Sequence, residues 1–255
     1  MTVRVLPLFL LLACGGDDPV EDDGTLTGST SLDFERWEGE VTLEGPVKVA
    51  KGSELTIAAG TVITAEPGSS LDVRGILLVE GTAAEPVTLT AASGWQGIAL
   101  EGTLQGSYFE VRGEGGKLVM VDGVLDLSDS VLDLMAPTRS PDCTGISRGS
   151  VFLDHVHITG CHCPIHINSA DEVLITNSVF DGAAVAVMIA SSDAVFTGNH
   201  IEGGTDMLDI GGGISADIAG NYWGGDAPGL DTDDDAQFVG ADDWLASPID
   251  GVGPR

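Results

Sequence analysis

The chain has 255 residues, 43% of them hydrophobic, and its 40 Asp and Glu against 10 Lys and Arg give a formal net charge of −30. That balance excludes nucleic acid as a partner, because phosphate binding requires clustered neutralising cations, and it excludes a basic membrane-binding patch, because an acidic surface repels anionic head groups. It is compatible with calcium, with a saline habitat or with plain solubility.

Residues 1–13, "MTVRVLPLFLLLA", carry one positive charge at Arg4, an apolar run, and a small residue, Ala13, immediately before Cys14. This is a processing signal, and its apolar run is short of the roughly 20 residues that a membrane-spanning helix needs. The ending "LLAC" resembles the lipobox of bacterial lipoproteins. The resemblance implies removal of residues 1–13, a diacylated sulfur at Cys14, and, with Gly15 next instead of aspartate, passage to the outer membrane. Membrane association is then through the N-terminal lipid, and the expected location is the bacterial cell envelope, at the outer membrane or cell surface. Residues 14–32 read as an acidic tether, since "GGDDPVEDDG" holds five acids in ten residues and too little apolar surface to fold. The folded domain is expected over 33–250, with a C-terminal cap from about 224.

The first half of that domain, "SELTIAAGTVITAEPGSSLDVRGILLVEGTAAEPVTLTAASGWQGIAL", alternates apolar and polar residues in short runs punctuated by glycine. This is the period-2 pattern of strands, and it excludes helical repeats. From Ser150 the chain divides into 22-residue lengths, "SVFLDHVHITGCHCPIHINSAD", "EVLITNSVFDGAAVAVMIASSD" and "AVFTGNHIEGGTDMLDIGGGIS", followed by "ADIAGNYWGG". Asn177, Asn199 and Asn221 recur at the full period, as do Val151, Val173 and Val195. A fixed period of this length with strand patterning predicts a solenoid. Coils stacked about 4.8 Å apart would let the three asparagines form a structural ladder at one corner.

The segments "LTIAAGTVI", "LDVRGILLVEGT", "GWQGI" and "GNYWG" resemble the coils of bacterial right-handed parallel β-helix proteins of the pectin-lyase-like class, over roughly residues 40 to 225. The resemblance implies an all-β, right-handed parallel β-helix of about eight coils. It does not imply one function, because this fold carries lyases, hydrolases and adhesins. Between the two halves, "LDLSDSVLD" matches "VLITNSVFD" and puts Asp129 at a corner. The next corner, His155, is 26 residues on, which enlarges the loop "APTRSPDCTGISRG" that holds Cys143.

"DHVHITGCHCPIH", 154–166, concentrates four of the five histidines and two of the four cysteines. Aligned with its sister coils, His155 takes the corner of Asn177, and His157 an inward place beside Val179, Ile201 and Trp223. Cys163 reads as a small core residue, and Cys161 falls at a turn. His162 and His166 take the outward alternation. That scatter opposes a tetrahedral metal site; His155 and His157 are the candidate zinc or copper ligands. With Cys14 acylated, three cysteines remain in an oxidising compartment, and one disulfide between Cys143 and Cys161 is expected.

A pectate-lyase-type elimination would need calcium and a Lys or Arg base, yet Gly149 to Pro254 contain neither cation. Glycoside hydrolysis would need paired carboxylates. Asp171 and Asp193 recur at the coil period, but they read as solvated turn residues, so no catalytic residue is assigned. In "DTDDDAQFVGAD", Asp231, Asp233, Asp235 and Asp242 have calcium-loop spacing, weakened by Ala236 where glycine belongs and by an aspartate at the twelfth place. Calcium is the one candidate cofactor. The expected role is surface binding, adhesin-like or structural, with a neutral carbohydrate or a protein as ligand. A carbohydrate-active enzyme is the alternative.

Overall fold

Short alternating runs closed by Gly, Asn, Asp or Ser give strands with one apolar side, and stacking coil on coil covers that side. The computed structural model describes residues 24–26, 30–114, 116–135, 142–161, 163–182, 185–189, 194–202, 206–210, 215–232 and 237–255. Among these residues every regular element is a strand and no helix is present. The strands stack in parallel as a β-solenoid of about eight turns.

Each full turn places one strand on each of three faces. The first face is a nine-stranded sheet that begins with Thr25–Leu26, Glu40–Leu43 and Val62–Ala65 and ends at His200–Glu202. The other two faces form one 18-stranded sheet, joined through the long strand Pro46–Ile57. The first part of that strand pairs with Ser70–Val73 and the last part with Ile76–Glu80. The second face continues from Ile76–Glu80 through Thr103–Ser107, Val124–Ser128 and Ser150–Asp154. The third continues from Ser70–Val73 through Ile98–Leu100, Leu118–Met120 and Asp142–Ile146.

The core is built of inward columns that run through the stack. On the first face Ile63, Leu89, Val111, Leu132, Ile158 and Phe180 succeed one another at one register position, none more than 1% exposed. Each such side chain contributes about 1.5–3 kcal/mol relative to exposure. Toward the C-terminal end the column fillers become aromatic. Phe180 and Phe196 have ring centroids 5.4 Å apart, and Phe196 and Trp223 6.2 Å.

One corner column has left-handed backbone in six successive coils, from Tyr108 to Gly220. Tyr108, Asp129, His155 and Asn177 have φ of 48°, 46°, 57° and 50°, and Gly198 and Gly220 continue the column at 67° and 66°. Asn, Asp and His are the side chains enriched in this region, and glycine enters it without strain. The histidine at 155 is therefore accounted for by backbone geometry.

The repeat is not uniform. Phe152 pairs with Leu174 at a step of 22, but Leu174 pairs with Val195 and Asn199 reaches Ser178 at a step of 21. The 21-residue turn moves every later residue by one place and corrects three expectations. Asn177 shares its corner with Gly198, while Asn199 and Asn221 stack at the following position. Val195 lies in the outward column of Phe152 and Leu174, and Ala194 and Phe196 take the inward places, 1% and 0% exposed. His157 stands beside Val179, His200 and Tyr222 in an outward column of the first face, and the inward places belong to Ile158, Phe180, Ile201 and Trp223.

Strands Leu230–Thr232 and Gln237–Val239 pair with Asp206–Ile210 and Ser215–Asp217. Leu230–Thr232 and Gln237–Val239 are thus strands of a further coil.

Candidate functional site

On the second face an open groove of about 430 Å³ runs along the stack axis. Two outward columns form it: Leu78, Gln105 and Asp126 on one side, and Glu80, Ser107 and Ser128 on the other. The register places these six side chains in three successive coils, two residues apart along each strand. Alternation turns them outward, because Leu77, Leu104 and Leu125, each one residue before the first column, are fully buried.

Gly106 holds an inward position between Val79 and Leu127, where a Cβ would lie 2.6 Å from the Val79 Cβ. A glycine inside a strand marks such a close backbone approach. Gln105 Nε2 donates to Asp126 Oδ2 at 2.9 Å, and Ser107 Oγ donates to the Gly81 carbonyl at 3.1 Å. Arg36 donates from Nη1 to Glu80 Oε2 at 2.8 Å from the N-terminal side. The groove therefore offers hydroxyl, amide and carboxylate groups over a partly apolar bed.

Among the described residues the histidines do not converge on one point. The His155 side chain is 14% exposed, and its Nδ1 lies 3.0 Å from Asp154 Oδ2. His157 faces outward on the neighbouring strand, with a buried Nε2 that has no hydrogen-bond partner. Burial holds the His157 imidazole below its ordinary pKa, opposed by the charges of Asp181, Asp133 and Glu202. His166 is half-buried in an outward place between Gly145 and Met188, and His162 lies outside the described residues. Among the described residues no group of three or more His, Cys, Asp or Glu is placed to hold a metal ion.

Cys143 and Cys161 are paired as a disulfide, with Cα atoms 5.7 Å apart. Cys143 was expected in a protruding loop; it is an inward residue of strand Asp142–Ile146, 1% exposed. Cys161 ends strand His157–Cys161 at a register shift, and Cys163 is a buried thiol of the core.

Asp242 is exposed in a turn beside strand Gln237–Val239, and Asp171 is exposed at a corner. Asp233, Asp235, Asp193 and Cys14 lie outside the described residues, as does the Asp231 side chain. Among the described residues no helix is long and apolar enough to cross a membrane.

Comparison of the chain with protein-family models, with curated proteins and with solved structures returns no match. The groove residues escaped sequence reasoning, because outward Gln, Ser and Asp on a strand look like any solvated face. The one available signal was "TLQGSYFE", where Gly106 interrupts the inward alternation.

Proposed function

We propose that this protein is a lipid-anchored component of a bacterial cell envelope, of the pectin-lyase-like right-handed β-helix type, whose solenoid binds a neutral glycan without cleaving it. The single observation that carries this reading is the groove on the second face, where Gln105, Ser107, Asp126 and Ser128 offer hydrogen-bonding partners at regular spacing along the stack. A chain of sugar units is a repeating ligand, and a repeating row of donors and acceptors suits it. The net charge of −30 disfavours a uronate or other anionic glycan. The "LLAC" ending at Cys14 supports the anchor, and the acidic segment after it supports a spacer that holds the solenoid away from the membrane.

A second reading rests on Glu80 and Asp126, two carboxylates that line the same groove. It makes the protein a glycoside hydrolase that uses them as a pair. The two readings separate in one experiment. The unacylated Cys14→Ala chain is applied to an array of neutral and anionic glycans, and bound glycans are recovered and sized. Retention of a neutral glycan at unchanged length supports binding alone. Shortened product that disappears with Glu80→Gln supports the hydrolase, and retention of anionic glycans only sinks both.

A further inference from the structure

The C-terminal segment turns back along the stack after the last coil. The Leu245 amide donates to the Asn221 carbonyl at 2.8 Å, the Ile249 amide to His200 Nε2, and the Gly253 amide to the Asn177 carbonyl at 2.8 Å. Arg255 then donates from Nε and Nη2 to the two carboxylate oxygens of Asp129 at 2.8 and 2.9 Å. Residues 245–255 therefore run across the coils in the direction opposite to chain growth, over the outer side of the first face. Between its last two contacts the segment passes the coil of His155 and His157.

Two observations mark this strap as more than a trailing end. His200 stands in an outward column, in which Val62 is 44% exposed, yet His200 is only 9% exposed. Its Nε2 accepts the Ile249 amide of the strap. From Gly149 onward Arg255 is the sole Lys or Arg of the chain, and it is set on Asp129, itself 6% exposed.

We propose that residues 245–255 are an acid-released strap, keyed by the unprotonated Nε2 of His200 and latched separately by Arg255 on Asp129. An imidazole nitrogen accepts a hydrogen bond only while it carries no proton. Protonation at Nε2 turns the acceptor into a donor that faces the Ile249 N–H, and the two donors repel. The groups around His200 are Glu202 on its own strand, Asp181 on the neighbouring strand, the Tyr222 ring at 5.3 Å, Asp243 in the turn over Gly220 and Asp250 beside Ile249. Burial lowers the His200 pKa from its ordinary value, and the Glu202 charge opposes this. The sign follows. Closure is fully favoured above the ordinary imidazole range and is lost as pH falls below it. Asp129 is held below its ordinary carboxylate value by the Arg255 hydrogen bond. The latch thus persists in mild acid while the middle of the strap opens, uncovering Val179, His200 and Tyr222.

The test is hydrogen exchange of the full chain, read by mass on the peptide spanning 246–255 and corrected for intrinsic rate, at pH 7.5 and 5.5. The wild type should lose about tenfold in strap protection at the lower pH, while peptides of the second face keep theirs. His200→Gln, which keeps an acceptor at both pH values, should show no loss, and His200→Phe should be unprotected at both. Equal wild-type protection at the two pH values would overturn the strap, as would an unchanged pH dependence in His200→Gln. Where a variant does not fold, the wild-type pH profile decides alone.

Discussion

The side-chain oxygen of Asn221 accepts the backbone N–H of Asn199 at 2.7 Å, one coil away, and Asn199 in turn accepts the Ser178 N–H at 2.8 Å. Ser178 and Ser130 do the same for Val156 and Phe109 at 3.0 and 3.1 Å. A buried side chain at this corner thus supplies the acceptor that the preceding coil's amide needs in four places, whether the residue is serine or asparagine. Asn199→Leu removes the acceptor for Ser178 and the Nδ2 donor to the Ile175 carbonyl. It should destabilise by about 1–3 kcal/mol for each buried group left unpaired. Asn177→Gly, at the left-handed corner one position earlier, should change stability by less than about 1 kcal/mol. Denaturant titration of both variants checks the assignment; equal losses would restore the uniform 22-residue register.

The architecture was legible in the sequence because alternation and glycine punctuation report directly on which strand side is buried. The register was only partly legible. Asparagine spacing overrode a better signal: a step of 22 sends Phe196 outward and Val195 inward, whereas the core takes the larger ring. The side of His157 was lost with the same step. The groove was not legible, since its outward polar groups are brought together only by the register of three coils.

Asp129 makes a pH-dependent contribution that a charge-removing, shape-preserving change isolates. Its folded pKa lies below the ordinary carboxylate value, first through the Arg255 hydrogen bond. The stabilisation is therefore complete above that ordinary value and is lost as pH falls through the folded one. Asp129→Asn, which also tolerates the left-handed backbone, should lower thermal stability at pH 7 and leave it unchanged at pH 2. A loss of equal size at both would assign the effect to packing.

The disulfide links residues separated by 18 positions. Replacing both Cys143 and Cys161 by serine should cost about 3 kcal/mol, through the freedom returned to the unfolded chain. Cys163, 1% exposed, should resist thiol reagents until the chain unfolds. Labelling of Cys163 under native conditions would contradict its placement in the core.

Acylation at Cys14 is checked with a fatty-acid analogue in growing bacteria. The wild-type chain should incorporate the label and sediment with membranes, and Cys14→Ala should do neither. Equal labelling of the two chains would remove the anchor from the account.

Glycan recognition by the groove is tested most directly by comparing the unacylated Cys14→Ala chain with the same chain carrying Gln105→Ala and Asp126→Ala, on one array of neutral glycans. Both substitutions lie on an outward column, so the circular-dichroism spectrum should be unchanged. Retention of a neutral glycan by the parent and its loss from the double variant is the predicted result. Equal retention by the two chains, or retention of no neutral glycan by the parent, would contradict the groove as the binding site.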